Sequence, residues 1–218
     1  MHTYDDLIHE LIRLGYLKTD RVIEAFKTVD RALFIPEEKK EYAYKNVPIQ
    51  IAQNGFIVQP LIAAFVIELL DLRPGNAVLE IGTATGWQTA IMARLVEYIG
   101  GITEDEDGRY GITSCEPNEE IKNHAYTILD SFGYVEKGVV RVIGDTGQKG
   151  DIDHAPFDKI VCWYGTLIAP GAWHEQLRIG GQMIVPTYSG IALYEKTDKN
   201  TFTHKEYFGY TTPHWHPE

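Results

Sequence analysis

Ala77-Val78-Leu79-Glu80-Ile81-Gly82-Thr83-Ala84-Thr85-Gly86-Trp87-Gln88-Thr89-Ala90 is the stretch on which the reading of this chain turns. An apolar run reads as a buried strand, a small-residue segment as a turn, and the rest as the start of a helix. Small residues at 82, 84 and 86 let a backbone pass close to a ligand that larger side chains would hold off. The spacing is Gly-x-Ala-x-Gly. A dinucleotide fingerprint needs its third glycine three residues after the second, where this chain has Trp87. Glu80, ahead of the turn, suits a neutral or cationic ligand better than a pyrophosphate. These features favour S-adenosylmethionine over NAD, and a methyltransferase over a dehydrogenase. A small-residue turn also occurs simply to pack a strand against a helix, so the rest of the chain has to decide.

The bulk composition narrows the classes. At 218 residues the chain suits one domain with a sizeable core. Its hydrophobic content of 44% and charged content of 23% are those of an ordinary globular protein. The net charge of -11, from 31 acidic against 20 basic residues, argues against a nucleic-acid partner or an anionic membrane surface. The two cysteines, Cys115 and Cys162, sit in apolar strand-like stretches and read as free core thiols. The first residues carry acids within an amphipathic pattern rather than the basic start and apolar core of a signal peptide. No apolar run approaches a membrane span. The expectation is a cytoplasmic monomer.

Along the chain, Leu7, Ile8, Leu11, Ile12 and Leu14 have helical spacing, and a second helix is expected from Asp20 to Val29. A break follows at 31–36 and an irregular stretch at 42–60, punctuated by Pro48, Gly55 and Pro60. A helix from Leu61 to Leu70 leads into alternating strands and helices. Strands are expected at 78–81, 111–116, 139–143, 157–163 and 182–186, with helices at 88–98, 119–132 and 171–177. Residues 191–196 and 202–210 read as a hairpin. This alternation implies a mainly parallel sheet covered on both faces. The acidic run 104–108 reads as an exposed loop, and the tail His214-Trp215-His216 as a mobile terminus, so no metal site is expected.

In such a sheet, ligands sit beyond the carboxyl ends of the strands. That rule selects Gly82 to Gly86, Glu116 and Gly144-Asp145-Thr146. Glu116 offers two acceptor oxygens that can take both hydroxyls of a ribose, or it is a solvated acid at a strand end. Asp145 can accept from an adenine amino group, or it can form a turn beside Gly144 and Gly147.

The residues together resemble the protein-L-isoaspartate O-methyltransferase family from about Leu7 to Pro186. The resemblance is carried by Val29-Asp30-Arg31-Ala32-Leu33-Phe34-Ile35-Pro36, Glu41-Tyr42-Ala43-Tyr44, Val47-Pro48-Ile49, Ile57-Val58-Gln59-Pro60 and the 79–90 segment. It continues through Val142-Ile143-Gly144-Asp145, Ala155-Pro156-Phe157-Asp158 and Gly180-Gly181-Gln182-Met183-Ile184-Val185-Pro186.

The resemblance implies a Rossmann-like α/β fold with a mostly parallel central sheet, helices on both faces and an N-terminal helical extension. One methyltransferase domain would span 1–218, with helices and a substrate-side loop in 1–72 and the cofactor-binding core in 73–218. It implies S-adenosylmethionine as donor, and as acceptor the free carboxylate of an isoaspartyl residue in damaged protein or peptide. By matched position, Glu80, Gly82, Thr83, Ala84, Gly86 and Gln88 would form the cofactor turn, with Ile57 beside it. Glu116 would hold the ribose, and Asp145 with Thr146 would approach the adenine.

Three departures stand out. Phe56-Ile57-Val58 replaces the family's Thr-Ile-Ser, so Val58 stands at the position of the serine linked to catalysis, without its hydroxyl. Gln59 is the nearby polar candidate. Thr146 replaces the glycine of a Gly-Asp-Gly turn, and 207–213 lacks the family's late substrate-holding arginine. The alternatives are an enzyme of this type retargeted to another peptide or small-molecule acceptor, and a non-catalytic S-adenosylmethionine-binding protein.

Methyl transfer to a carboxylate needs no general base, because the nucleophile is already ionised at neutral pH. Alignment of donor and acceptor supplies up to about 7–11 kcal/mol. One neutral hydrogen bond contributes about 0.5–1.5 kcal/mol. Losing the hydroxyl at position 58 should therefore slow transfer rather than abolish it.

Overall fold

The computed structural model describes residues 3–53, 55–97, 111–166, 168–210 and 212. Asn54, the acidic run at 104–108 and the tail from 213 lie outside the described residues. The chain opens with α1 (Tyr4–Arg13) and α2 (Asp20–Thr28), followed by short 3-10 turns at Arg31–Phe34 and Glu37–Tyr42. Next come the two-residue strands β1 (Ile49–Gln50) and β2 (Phe56–Ile57), and then α3 (Pro60–Leu70). The α/β part runs β3 (Val78–Ile81), α4 (Trp87–Val96), β4 (Ile112–Cys115), α5 (Glu119–Ser131), β5 (Val140–Ile143), β6 (Phe157–Cys162), α6 (Gly171–Gln176) and β7 (Leu177–Pro186). It ends in the hairpin β8 (Gly190–Asp198) and β9 (Thr201–Phe208).

Seven strands form one sheet in the order β5-β4-β3-β6-β7-β8-β9. The first five in that row pair in parallel, and β8 and β9 are antiparallel. The parallel strands need helical crossovers, whereas β7 to β9 connect through tight turns. Strand β7 begins at Leu177, five residues before the position expected from the sequence. A register shift between Phe157 and Lys159 lets the pairing continue past Gly180, whose φ of +79° breaks the sequence pattern without ending the strand.

Alternation along the strands sends their residues into two cores. Val78, Ile112, Val140, Val161 and Ile184 face the larger one, shared with α1 to α5. Leu79, Ile81, Cys115, Ile160, Cys162 and Met183 face the smaller one, closed by Trp173 of α6 and Leu177. Helix α4 lies inside the larger core, with nine of its ten residues buried. Such a helix needs cover on its outer side as well, and α2 supplies it, Phe26 meeting Trp87 edge-on at 5.7 Å between centroids. A capping box between Thr3 and Asp6 starts α1, and Leu7, Ile8 and Leu11 make its buried face.

The irregular stretch 42–58 is held from within by Arg31, which is fully buried. Its Nη1 donates to the carbonyls of Ala43 and Lys45, each at 3.1 Å. Its Nη2 donates to Val47 at 3.1 Å and Val58 at 3.2 Å. The guanidinium also lies 5.1 Å from the ring centroid of Trp87. Burial pulls its pKa down to about 9, which leaves it charged at neutral pH. Carbonyl dipoles thus stand in for a counter-ion. Replacing Arg31 by Met should leave those carbonyls without donors and lower unfolding stability by about 3 kcal/mol, read from urea midpoints.

Candidate active site

In this strand order the chain leaves β3 toward β4 and β5, then returns to β6 on the other side of β3. The resulting crevice, beyond the carboxyl ends of β3 and β6, is where open α/β sheets bind ligands. The turn after β3 lies there. Gly82 and Gly86 have φ of +97° and +90°, and Ala84 has φ of +48°. The amides of Gly82 and Thr83 both donate to the Cys115 carbonyl, at 3.0 and 3.1 Å, which ties the turn to β4.

The two glycines serve different ends. A Cβ on Gly82 would stand 3.3 Å from the Tyr164 ring, within the crevice. One on Gly86 would stand 3.2 Å from Leu129 of α5, away from it. Gly86 is small for helix packing, whereas Gly82 is small toward the crevice.

Beneath the turn lies Glu80, with no exposed surface. Its Oε2 accepts from Thr89 Oγ1 and Ser114 Oγ, both at 2.6 Å, and its Oε1 from Trp163 Nε1 at 2.7 Å. Because Ser114 donates to Glu80, Thr83 Oγ1 donates to Ser114 at 2.6 Å. Burial pushes the Glu80 pKa up to about 7, with its three donors pulling the other way. The structure thus places Glu80 and Thr83 under the turn rather than on its open side.

Glu116 sits at the rim, with 8% of its surface exposed. Its Oε2 accepts from the Ala84 amide at 3.0 Å and its Oε1 from the Asn118 amide at 3.1 Å. Each oxygen keeps a lone pair for a further donor. Burial raises its pKa, and these two amides oppose the shift. Asp145 and Thr146 are exposed beyond β5, and Asp145 Oδ1 accepts from the Gly147 amide at 2.7 Å. The turn-forming role weighed for Asp145 is therefore present, and its second oxygen is not used by that bond. At the start of α4, Gln88 is 1% exposed, and neither amide atom has a hydrogen-bond partner among the described residues. Thr85 Oγ1, on the same turn, is buried in the same condition. Orphaned polar atoms of this kind mark a place built for a polar partner.

Just before α3, Ile57 and Val58 are buried, and Val58 holds Arg31 through its carbonyl. Gln59 Nε2 donates to the Asn46 carbonyl at 2.9 Å, so its amide helps to fix the loop. The sequence reading missed Arg31, Trp163 and Tyr164. The signal available was two aromatic residues directly after a buried strand. Cys115 and Cys162 are free and buried. Among the described residues, no group of three or more His, Cys, Asp or Glu side chains could hold a metal ion.

The model of the family described as protein-L-isoaspartate(D-aspartate) O-methyltransferase matches residues 2–209. The chain belongs to this family. A protein-L-isoaspartate O-methyltransferase of Methanopyrus kandleri is 34% identical over 207 residues, covering 93% of this chain and 86% of that one. The enzyme of that name from Ignicoccus hospitalis is 37% identical over 181 residues, covering 83% and 80%. Among solved structures, a protein-L-isoaspartate O-methyltransferase of Plasmodium falciparum, in complex with S-adenosyl-L-homocysteine, superposes with a TM-score of 0.84. Its identity is 18%, with 98% of each chain covered, so it speaks for the shared fold.

Two measurements test the supporting roles. The raised pKa of Glu80 means that the folded state holds its proton more tightly than the unfolded chain does. Its contribution to stability should therefore fall as pH rises from about 4.5 through about 7, by an amount on the order of 3 kcal/mol. A stability–pH curve of Glu80→Gln should lack that component. Gly86→Ala should lower stability by about 1–2 kcal/mol through its left-handed backbone, while Kd for S-adenosyl-L-homocysteine stays within twofold.

Proposed function

We propose that the crevice between β3 and β6 holds S-adenosylmethionine and presents its methyl group to the free carboxylate of an isoaspartyl residue in protein or peptide. The carrying observation is the Gly82–Gly86 turn at the point where strand order reverses, with Glu116 hydrogen-bonded onto it, in a chain of this methyltransferase family. The chain is accordingly an S-adenosylmethionine-dependent O-methyltransferase.

The residues present fit this donor. Gly82 leaves its near side bare for close backbone approach. Glu116 offers its remaining lone pairs to ribose hydroxyls. Asp145 and Thr146 stand at the rim for the adenine, and Gln88 and Thr85 bring buried polar atoms without partners. Glu80 and Thr83 act one layer below, fixing the turn through Ser114. When bound, the cofactor supplies a methyl group on a sulfonium, ready for direct displacement.

What the chain has to do is align and exclude water. The acceptor carboxylate is ionised at neutral pH, so no side chain has to remove a proton from it. Ile57 and Val58 anchor the proposed substrate-side loop in the larger core, and Arg31 fixes this stretch through the Val58 carbonyl.

A second reading, an enzyme of this type retargeted to another peptide or small-molecule acceptor, is favoured by the buried valine at 58. The same proposal takes residues 1–72 and 73–218 as one methyltransferase domain, working as a monomer in the cytoplasm. Two unpaired buried thiols accord with a reducing compartment. No helix among the described residues is long and apolar enough to cross a membrane.

Tritium transfer from labelled S-adenosylmethionine to matched isoaspartyl and aspartyl peptides should label the isoaspartyl member alone. Label on neither peptide, with transfer to a different peptide or small-molecule acceptor, would favour the second reading. Val58→Ser should raise isoaspartyl transfer by about two- to tenfold, the worth of one neutral hydrogen bond. An unchanged or lower rate would count against a missing hydroxyl as the limit.

A further inference from the structure

The loop after β5 carries Asp145 and Thr146, which are exposed, and then Gly147, which is buried. With φ of +74°, Gly147 lies so close to β3 that an added Cβ would stand 2.7 Å from Ile81 Cδ1. Its amide donates to Asp145 Oδ1 at 2.7 Å. Its carbonyl accepts from the Trp173 indole N–H at 2.7 Å and from the Gly150 amide at 3.0 Å. Gln176, three residues further along α6, grips the same loop with both ends of its amide. Nε2 donates to the Lys149 carbonyl and Oε1 accepts from the Asp151 amide, each at 2.8 Å. A Cβ on Gly150 would strike that amide.

Helix α6 is itself fixed. Lys196 of β8, which is buried, donates from Nζ to the carbonyls of His174 and Leu177 at the end of the helix, at 2.6 and 2.7 Å. A cation suits a helix C-terminus. Other side chains brace the loop as well: Tyr164 donates to the Thr146 carbonyl at 3.1 Å, and Arg141 and His154 meet the Asp151 carboxylate. What α6 adds is a hold on Gly147, the residue whose amide orients Asp145. An acceptor on a loose loop has to be ordered whenever a ligand binds, and that cost is taken from affinity. Bonds from buried side chains to the loop backbone remove the cost in advance.

We propose that Trp173 and Gln176 are positioning residues for the donor site: they hold the loop after β5 so that Asp145 presents its carboxylate to the adenine amino group. This rests on the donor assignment made above.

Calorimetry with S-adenosyl-L-homocysteine and its 6-deamino analogue, whose purine carries hydrogen in place of the amino group, tests this without turnover. The wild type should bind the amino compound about tenfold more tightly or better, the worth of one hydrogen bond to a charged acceptor. Asp145→Ala should bring the two Kd values within about twofold of each other. Trp173→Phe and Gln176→Met should each raise Kd for the amino compound by about three- to tenfold, while Kd for the analogue stays within about twofold. Gln176→Met leaves the buried indole in place, so the test stands even if Trp173→Phe does not fold. A ratio of the two Kd values unchanged in either folded variant, with both values kept or raised together, would reduce these contacts to structural ones and overturn the proposal. Equal binding of both compounds by the wild type, or a ratio unmoved by Asp145→Ala, would instead remove the adenine assignment and the proposal with it.

Discussion

Glu80 lies on the central strand with no exposed surface, and side chains from α4, β4 and the end of β6 converge on its two oxygens. A buried carboxylate is costly unless its acceptor sites are filled. Filling them here requires α4, β4 and β6 to hold fixed positions relative to β3. The same bonds continue through Ser114 to Thr83, inside the turn. The crevice thus inherits its shape from a polar network one layer below it. A hydrophobic residue at 80 would remove the desolvation cost and, with it, the reason for Trp163 and Thr89 to point inward.

A second buried charge plays the matching part under the irregular stretch before α3. Residues 42–58 contain little regular structure, and Arg31 supplies donors to four of their carbonyls. Stacked near Trp87, the guanidinium couples this loop to α4, the helix that follows the Gly82–Gly86 turn. The loop and the Gly82–Gly86 turn are therefore registered against one helix. Arginine suits this role because its planar fork reaches several carbonyls at once.

The turn after β3 shows how one sequence pattern serves separate physical needs. Gly82 is bare toward the crevice, Gly86 is bare toward Leu129, and Ala84 takes a left-handed backbone with Glu116 on its amide. Spacing alone cannot separate these reasons, since all three positions demand a small residue. The ring of Tyr164 packs against that same face of Gly82, so a side chain there would meet it.

Hydrophobic periodicity determined the element types, because burial on one or both sides of a strand or helix leaves a local mark. The parallel sheet, the N-terminal helices and the late hairpin were legible for that reason, as was the position of Glu116 at a strand end. The start of β7 was not, because Gly180 reads locally as a break, and pairing with Phe157 carries the strand through it. Nor was the depth of Glu80: an acid before a glycine turn looks the same whether it faces a ligand or three donors. Arg31, Trp163 and Tyr164 gained their roles from partners 12 to 83 residues away in the chain. Contacts at that distance leave no periodic trace. The sequence by itself determined which residues gather at the carboxyl ends of the strands; only the packing decided which of them line the crevice and which hold it in place.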